Sequence, residues 1–120
     1  MAVPISKIPQ LVKGIEEIGL RHQVDIFNLG HAGDGNLHPD ILFKGESQDE
    51  LERVEKAAGE ILELAVKLGG TLTGEHGIGL GKARFMTLEH DAVAMSVMND
   101  IKNLLDPNHI LNPGKMGLDT

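Results

Sequence analysis

The sequence predicts an α+β fold of the ferredoxin-like, split βαβ type, with a truncated first strand and a C-terminal helical extension. Three observations lead to this prediction: the order of helical and extended patterns, a glycine turn between two neighbouring apolar runs, and a third helical pattern near the C-terminus. The chain has 120 residues, which is the size of one domain, so we expect a single hydrophobic core.

The first segment is an amphipathic helical pattern that follows a short apolar stretch. Residues 2–5 read as the remnant of a first strand. Ser6 is suited to cap a helix over 7–21, and Pro9 is tolerated in its first turn. The helical assignment rests on the three- and four-residue spacing of Ile8, Leu11, Val12, Ile15 and Ile18.

Two extended patterns follow and are separated by a turn that is rich in glycine. The stretches 23–30 and 37–45 contain many β-branched and apolar residues, so each reads as a strand. The turn between them predicts a hairpin. Because Pro39 has no N–H, it is expected at the start of its strand or on an edge.

The second half of the chain contains two further helical patterns. The first covers about 51–68 and stops at a pair of glycines, after which residues 71–73 form a short candidate strand. Thr87 is suited to cap the last helix, which ends at Asp106 before a proline. One face of that helix carries Val93, Val97, Ile101 and Leu104.

Composition excludes several classes of function. The net charge of −7 argues against a nucleic-acid partner, because binding to a phosphate backbone requires clustered Lys and Arg. The absence of cysteine rules out disulfides and thiolate chemistry. No long apolar run or signal-peptide pattern is present, which favours a cytoplasmic protein.

The stretch LGHAGDGNLHP at 29–39 contains the first candidate functional residues. His31 and His38 flank the predicted turn, and the glycines between them allow both imidazoles to converge on one point. Imidazole is the commonest side-chain ligand of transition metals. The alternative is a pair of histidines that hydrogen-bond within a tight turn formed by Asp34.

The stretch GEHGIGLGK at 74–82 contains the second set. Glu75 together with the two histidines makes a His₂Glu set, which is typical of open catalytic metal sites and of iron or manganese sites. His76 then remains as a candidate general base. The alternative is a loop that binds a phosphate or a backbone, with Glu75 and His76 solvated.

These two motifs, followed by LDPNHILNPGKM, resemble the C-terminal domain of FAD-linked oxidases. That domain belongs to the vanillyl-alcohol-oxidase superfamily, and the resemblance is strongest to the glycolate oxidase catalytic subunit and D-lactate dehydrogenase group. It extends from about residue 3 to 116. It implies that 1–120 is a substrate-covering cap domain of ferredoxin-like fold, while an N-terminal FAD-binding domain, absent from this sequence, holds most of the FAD.

The resemblance also implies roles for individual residues. His31, His38 and Glu75 match the ligands of a divalent ion, either Zn or Fe/Mn, and His76 matches the catalytic base. Asn36 lies in the first motif and is expected to orient the substrate, and Asn112 lies in a segment that matches one approaching the flavin. The implied reaction oxidises a small 2-hydroxy acid to a 2-oxo acid, with hydride transfer to FAD and assistance from the metal.

Two departures from the family pattern limit this expectation. The FAD diphosphate loop and the basic residues that bind the substrate carboxylate are missing, so the chain alone is expected to be inactive and to self-associate through its uncovered apolar surface. The residues after His38, Pro39 and Asp40, resemble those of the glycolate and lactate branch more than those of the hydroxyglutarate branch.

The full enzyme is expected in the cytoplasm or at the membrane periphery. A stand-alone metal-binding hydrolase and a ferredoxin-like ligand-binding module are the alternatives.

Overall fold

The computed structural model describes residues 1–118 and divides the chain into two compact units, Met1–Glu75 and His76–Thr120. Helices and an antiparallel hairpin make up its regular structure, which confirms the α+β class. Among the described residues, no helix has both the length and the apolar composition needed to cross a bilayer. The first unit contains α1 (Ile8–His22), β1 (Asp25–His31), β2 (Asn36–Leu42) and α2 (Gln48–Lys67), and the second contains α3 (Ala92–Leu105).

The sheet of the first unit is the predicted hairpin, which two single-residue bridges extend through Ala2 to Thr71. Strands β1 and β2 pair antiparallel from Asp25 opposite Leu42 to His31 opposite Asn36. Ala2 forms antiparallel bridges to Asn36 and to Thr71. The N-terminal segment therefore lies between the hairpin and the segment after α2, as a split βαβ arrangement requires.

The two segments that extend the hairpin are shorter than predicted. The candidate strands at 2–5 and 71–73 are each reduced to one bridge, through Ala2 and Thr71. Pro4 lacks an N–H for a ladder, and a 3-10 turn begins directly after it at Ile5. The first strand is therefore truncated, as the sequence suggested, and the last strand is truncated as well.

The core of the first unit is built from the apolar faces of both helices. The predicted spacing in α1 is confirmed, because Leu11 and Ile15 are completely buried and Ile18 nearly so. Ile26 of β1 packs beside Gly19 of α1, so the hairpin lies against this helix. Helix α2 contributes the buried residues Ala57, Ile61, Leu62 and Ala65.

The other face of the hairpin is open. Residues directly opposite in an antiparallel pair point to the same side of the sheet, so Phe27 and Leu29 share a face with Asp40 and His38. Phe27 is 59% exposed and Leu29 is 62% exposed. The same register places His31 on this open face.

Several predicted boundaries in the first unit are wrong by a few residues. Ser6 does not cap α1, because it lies within a 3-10 turn and Lys7 takes the N-cap position without a side-chain hydrogen bond. Gln23 ends α1 in the left-handed conformation, which delays β1 to residue 25 and brings His31 into the strand. Helix α2 starts earlier than predicted because the Ser47 hydroxyl accepts a hydrogen bond from the Glu50 N–H.

In the second unit, the predicted cap of the last helix is also wrong. Thr87 lies inside a 3-10 helix, Ala83–Leu88, and Asp91 caps α3 by accepting a 2.8 Å hydrogen bond from the Ala94 N–H. An aspartate in extended conformation provides a carboxylate at the right distance, whereas Thr87 is already committed to the preceding turn. The apolar side chains that the sequence places on one face of α3 are all exposed. They are those of Val93, Val97, Ile101 and Leu104.

Candidate metal centre

Three side chains of the first unit converge at the end of the open sheet face. Nε2 of His31 lies 3.4 Å from Oε1 of Glu75, and Nε2 of His38 lies 3.3 Å from the same oxygen. The three candidate ligand atoms lie within 4.8 Å of one another. The structure thus brings together the three residues for which the sequence predicts metal binding.

The hairpin register explains why the two histidines meet. His31 is directly opposite Asn36, so His38 is its diagonal neighbour on the same face. The two rings stand edge to face, with centroids 5.4 Å apart and an interplanar angle of 86°. Gly35 makes this possible because it closes the turn with a φ of 72°, a conformation that favours glycine.

Two of the three distances between donor atoms match the edge of a tetrahedral site, and all three atoms lie within 4.8 Å of one another. A tetrahedral zinc ion with Zn–N distances of about 2.0–2.1 Å has neighbouring ligand atoms about 3.3–3.4 Å apart. The two histidine–glutamate distances are 3.4 and 3.3 Å, so both match such an edge. Two imidazoles and a carboxylate are also ligands that iron and manganese accept.

The site is open on one side. The side chains of His31 and Glu75 are 57% and 50% exposed, whereas that of His38 is 21% exposed. Three protein ligands with an exposed side are typical of catalytic rather than structural metal sites, because a coordination position remains for water or substrate. The cluster therefore has room for an exchangeable ligand.

Asn36 lies beside this cluster and is buried. Only 6% of the residue is exposed, and its Oδ1 atom has no hydrogen-bond partner among the described residues. Its amide lies against the backbone of Gly74, the residue before Glu75. A direct contact of Asn36 with substrate stays a prediction.

The remaining two predicted site residues belong to the second unit. His76 is its first residue and is exposed, and no regular element includes it. Asn112 is exposed and adopts a left-handed backbone with a φ of 46°. Their roles as catalytic base and as a flavin contact stay predictions.

The loop that carries Asn112 is held by a carboxylate whose role the sequence interpretation missed. Asp106 is 4% exposed, and its carboxylate accepts hydrogen bonds from the N–H groups of Ile110 and Leu111 at 3.1 and 2.9 Å. It also accepts one from the Lys102 ammonium, which in turn donates to the Leu111 carbonyl. A lysine four residues before an aspartate at a helix end is the signal that could have indicated this clamp.

The same contacts alter the acidity of Asp106. The hydrogen bond from Lys102 is the largest cause that lowers the pKa, and the N–H groups of Leu111 and Ile110 add to it. Burial opposes them, and the pKa falls from 3.8 to about 2. The lowered pKa favours the charged carboxylate, which is the form that accepts these hydrogen bonds in the loop after α3.

Comparison with known proteins identifies the family. The profile of the family described as FAD linked oxidases, C-terminal domain, matches residues 1–116. The chain belongs to this family. The match includes His31, His38 and Glu75, the three candidate ligands, as well as His76 and Asn112.

Characterised relatives of this FAD-linked oxidase domain are longer proteins. The glycolate oxidase subunit GlcD of Bacillus subtilis (strain 168) is 46% identical over 114 residues, which cover 95% of this chain and 24% of the relative. GlcD of Escherichia coli (strain K12) is 38% identical over 113 residues, with coverages of 94% and 23%. The mitochondrial D-lactate dehydrogenase (cytochrome) of Arabidopsis thaliana is 36% identical, with coverages of 97% and 20%. The chain thus spans about a quarter or less of these relatives.

Proposed function

We propose that this chain is the metal-binding, substrate-covering domain of an FAD-dependent dehydrogenase or oxidase of small 2-hydroxy acids. Its relatives are named glycolate oxidase subunits and D-lactate dehydrogenases, so glycolate and D-lactate are the candidate substrates. The convergence of His31, His38 and Glu75 on one point is the observation that carries the proposal.

In this proposal His31, His38 and Glu75 hold one divalent ion, Zn or Fe/Mn. When bound, such an ion supplies Lewis acidity, which lowers the pKa of a coordinated oxygen; for water the fall is from about 15.7 to about 7. The exposed side of the cluster admits the hydroxyl and carboxylate oxygens of a 2-hydroxy acid. The half-buried His38 anchors the set, while the more exposed His31 and Glu75 adjust to the ion.

His76 is the proposed acceptor of the substrate hydroxyl proton. It follows Glu75 directly in the chain and matches the catalytic base in the family resemblance. A neutral imidazole nitrogen can accept a proton and so serve as a general base. Asn112 is proposed to contact the FAD, which supplies the redox chemistry.

The open sheet face is proposed to lie towards the substrate side of the full enzyme. It carries exposed apolar side chains, Phe27 and Leu29, next to the candidate ligands. Uncovered apolar surface of this kind favours self-association of the chain by itself.

We expect this chain alone to lack turnover, because it covers only about 24% of a relative such as the Bacillus subtilis GlcD. A cytoplasmic or membrane-peripheral location stays a prediction.

Metal titration of the purified chain tests the proposed site. Isothermal titration with ZnCl₂ or MnCl₂ should give one ion per chain, and His31→Ala combined with His38→Ala should abolish binding. His22→Ala is the matched control, because it removes another histidine–glutamate pair of the same unit, in which His22 lies 2.9 Å from Glu60. Equal binding by the double variant and the wild type would refute the site.

The same titration also tests whether His76 is a ligand of the ion. His76→Ala should still bind one ion, because the proposal makes this residue a base and not a ligand. Loss of the ion in His76→Ala would contradict that assignment.

A further inference from the structure

Asn36 occupies a junction between the three segments that carry the candidate ligands. It is directly opposite His31 in the hairpin, and it precedes His38 by two residues on the same face. Its amide packs against Gly74, whose neighbour in the chain is Glu75. Asn36 is therefore linked to each candidate ligand. It pairs with His31, it lies two residues before His38, and it packs against the residue that precedes Glu75.

The contact between Asn36 and Gly74 requires glycine for reasons of space. A Cβ atom at position 74 would overlap Oδ1, Cγ and Nδ2 of Asn36, with the last of these at 2.9 Å. Gly74 is not among the residues with positive φ, so its conformation is open to any residue. Gly33, in the turn of the same hairpin, has no atom within 4 Å of such a Cβ and also lacks a positive φ.

The buried side chain of Asn36 has one polar atom that hydrogen bonding within the unit does not satisfy. Its Oδ1 is buried and has no partner among residues 1–118, which lowers stability relative to a paired amide. An apolar side chain of similar volume would fill the same space without this cost. What the side chain does provide at this junction is bulk, because it fills the space against Gly74.

We infer that Asn36 and Gly74 are positioning residues that together set the distance between Glu75 and the two imidazoles. The side chain of Asn36 fills the space between the hairpin and residue 74. Because Gly74 has no Cβ atom, the segment that carries Glu75 can pack directly against this side chain. This inference rests on the proposed metal function. It reassigns Asn36 from a substrate contact to a residue that acts through the ligands.

A double-mutant cycle on Zn²⁺ affinity tests the inference with the whole chain. Residues that orient metal ligands typically change affinity by about 10–100-fold when they are replaced. Gly74→Ala should therefore weaken Zn²⁺ binding at least about tenfold in the wild-type background. In the Asn36→Ala background, where the overlapping atoms are gone, the same substitution should change affinity less than about twofold, because coupled residues are not additive.

Controls separate spacing from general damage to the fold. Gly33→Ala should bind Zn²⁺ as the wild type does. Asn36→Leu keeps a branched side chain of similar volume without adding a charge and should retain affinity, whereas Asn36→Ala should lose it, with circular dichroism showing the same helix content in both. If Gly74→Ala does not fold, the comparison of Asn36→Leu with Asn36→Ala decides the question.

Two results would overturn the inference. One is wild-type affinity in Gly74→Ala, and the other is an equal loss from Gly74→Ala in both backgrounds. Failure of the proposed function looks different, because the wild-type chain would then bind no Zn²⁺ or would bind it without His31 and His38.

Discussion

A divalent ion should raise the thermal stability of the wild-type chain but not that of the chain carrying both His31→Ala and His38→Ala. An ion that binds only the folded state stabilises that state by an amount set by the ion concentration relative to its Kd. The three proposed ligands come from the hairpin and from residue 75, which α2 separates in sequence. Unfolding of the first unit therefore separates the ligands and releases the ion.

The expected shift in Tm follows from the size of the unit. At an ion concentration of one hundred times Kd, the stabilisation is about 2.7 kcal/mol. The entropy of unfolding is about 2.1 cal/mol/K per residue. If Met1–Glu75 unfolds alone, its 75 residues give a rise in Tm of about 17 °C. If all 120 residues unfold together, the rise is about 11 °C.

Thermal melts followed by circular dichroism measure this shift. The wild type and His22→Ala should show the same rise with ZnCl₂, and EDTA should reverse it. The variant without His31 and His38 should melt at one temperature with and without the ion. An equal rise in that variant, or no rise in the wild type at saturating ion, would refute the assignment of these residues as ligands.

Two further predictions concern stability. Asp106→Asn should reduce the change in the free energy of unfolding between neutral and acid pH. The pKa of Asp106 is lowered in the folded state from 3.8 to about 2, so its carboxylate stabilises the fold above pH 3.8. This contribution is lost as the pH falls to about 2. Urea unfolding at pH 5 and pH 2.5 checks this, and an unchanged difference between those two pH values would contradict it. Ile61→Ala should lower the free energy of unfolding by about 2–5 kcal/mol, because a completely enclosed side chain leaves a cavity. Ile61 is 2% exposed, and Leu20→Ala, at an 81% exposed position of α1, is the control that should stay within about 0.5 kcal/mol.

The elements of the first unit were predictable because their signals are local. Helical spacing in α1 and α2 depends on residues three and four apart, and the structure buries Leu11, Ile15 and Ile61 as that spacing requires. The hairpin was predictable from its glycine turn. Caps were less predictable, since Ser6, Thr87 and Asp91 are all suitable residue types and the backbone conformation selects among them.

The second unit was less predictable from sequence. The apolar pattern of α3 identifies a helix correctly, but it does not say what that face contacts, and Val93 and Leu104 are 71% and 80% exposed. The clamp at Asp106 was read only as a helix end. Its function depends on where Lys102 and the following loop fold back, which a one-dimensional pattern does not contain.

The sequence by itself determined which chemical groups this protein has, in which motifs, and to which family those motifs belong. Imidazoles, a carboxylate and their glycine-rich surroundings are properties of composition and order along the chain. Only the tertiary structure decided that His31 and His38 share the open face of the hairpin, that Glu75 lies near both, and that the buried side chain of Asn36 packs against Gly74. Those facts depend on strand register and on packing between residues more than thirty positions apart, and a register shift of one residue would place the two histidines on opposite faces of the hairpin.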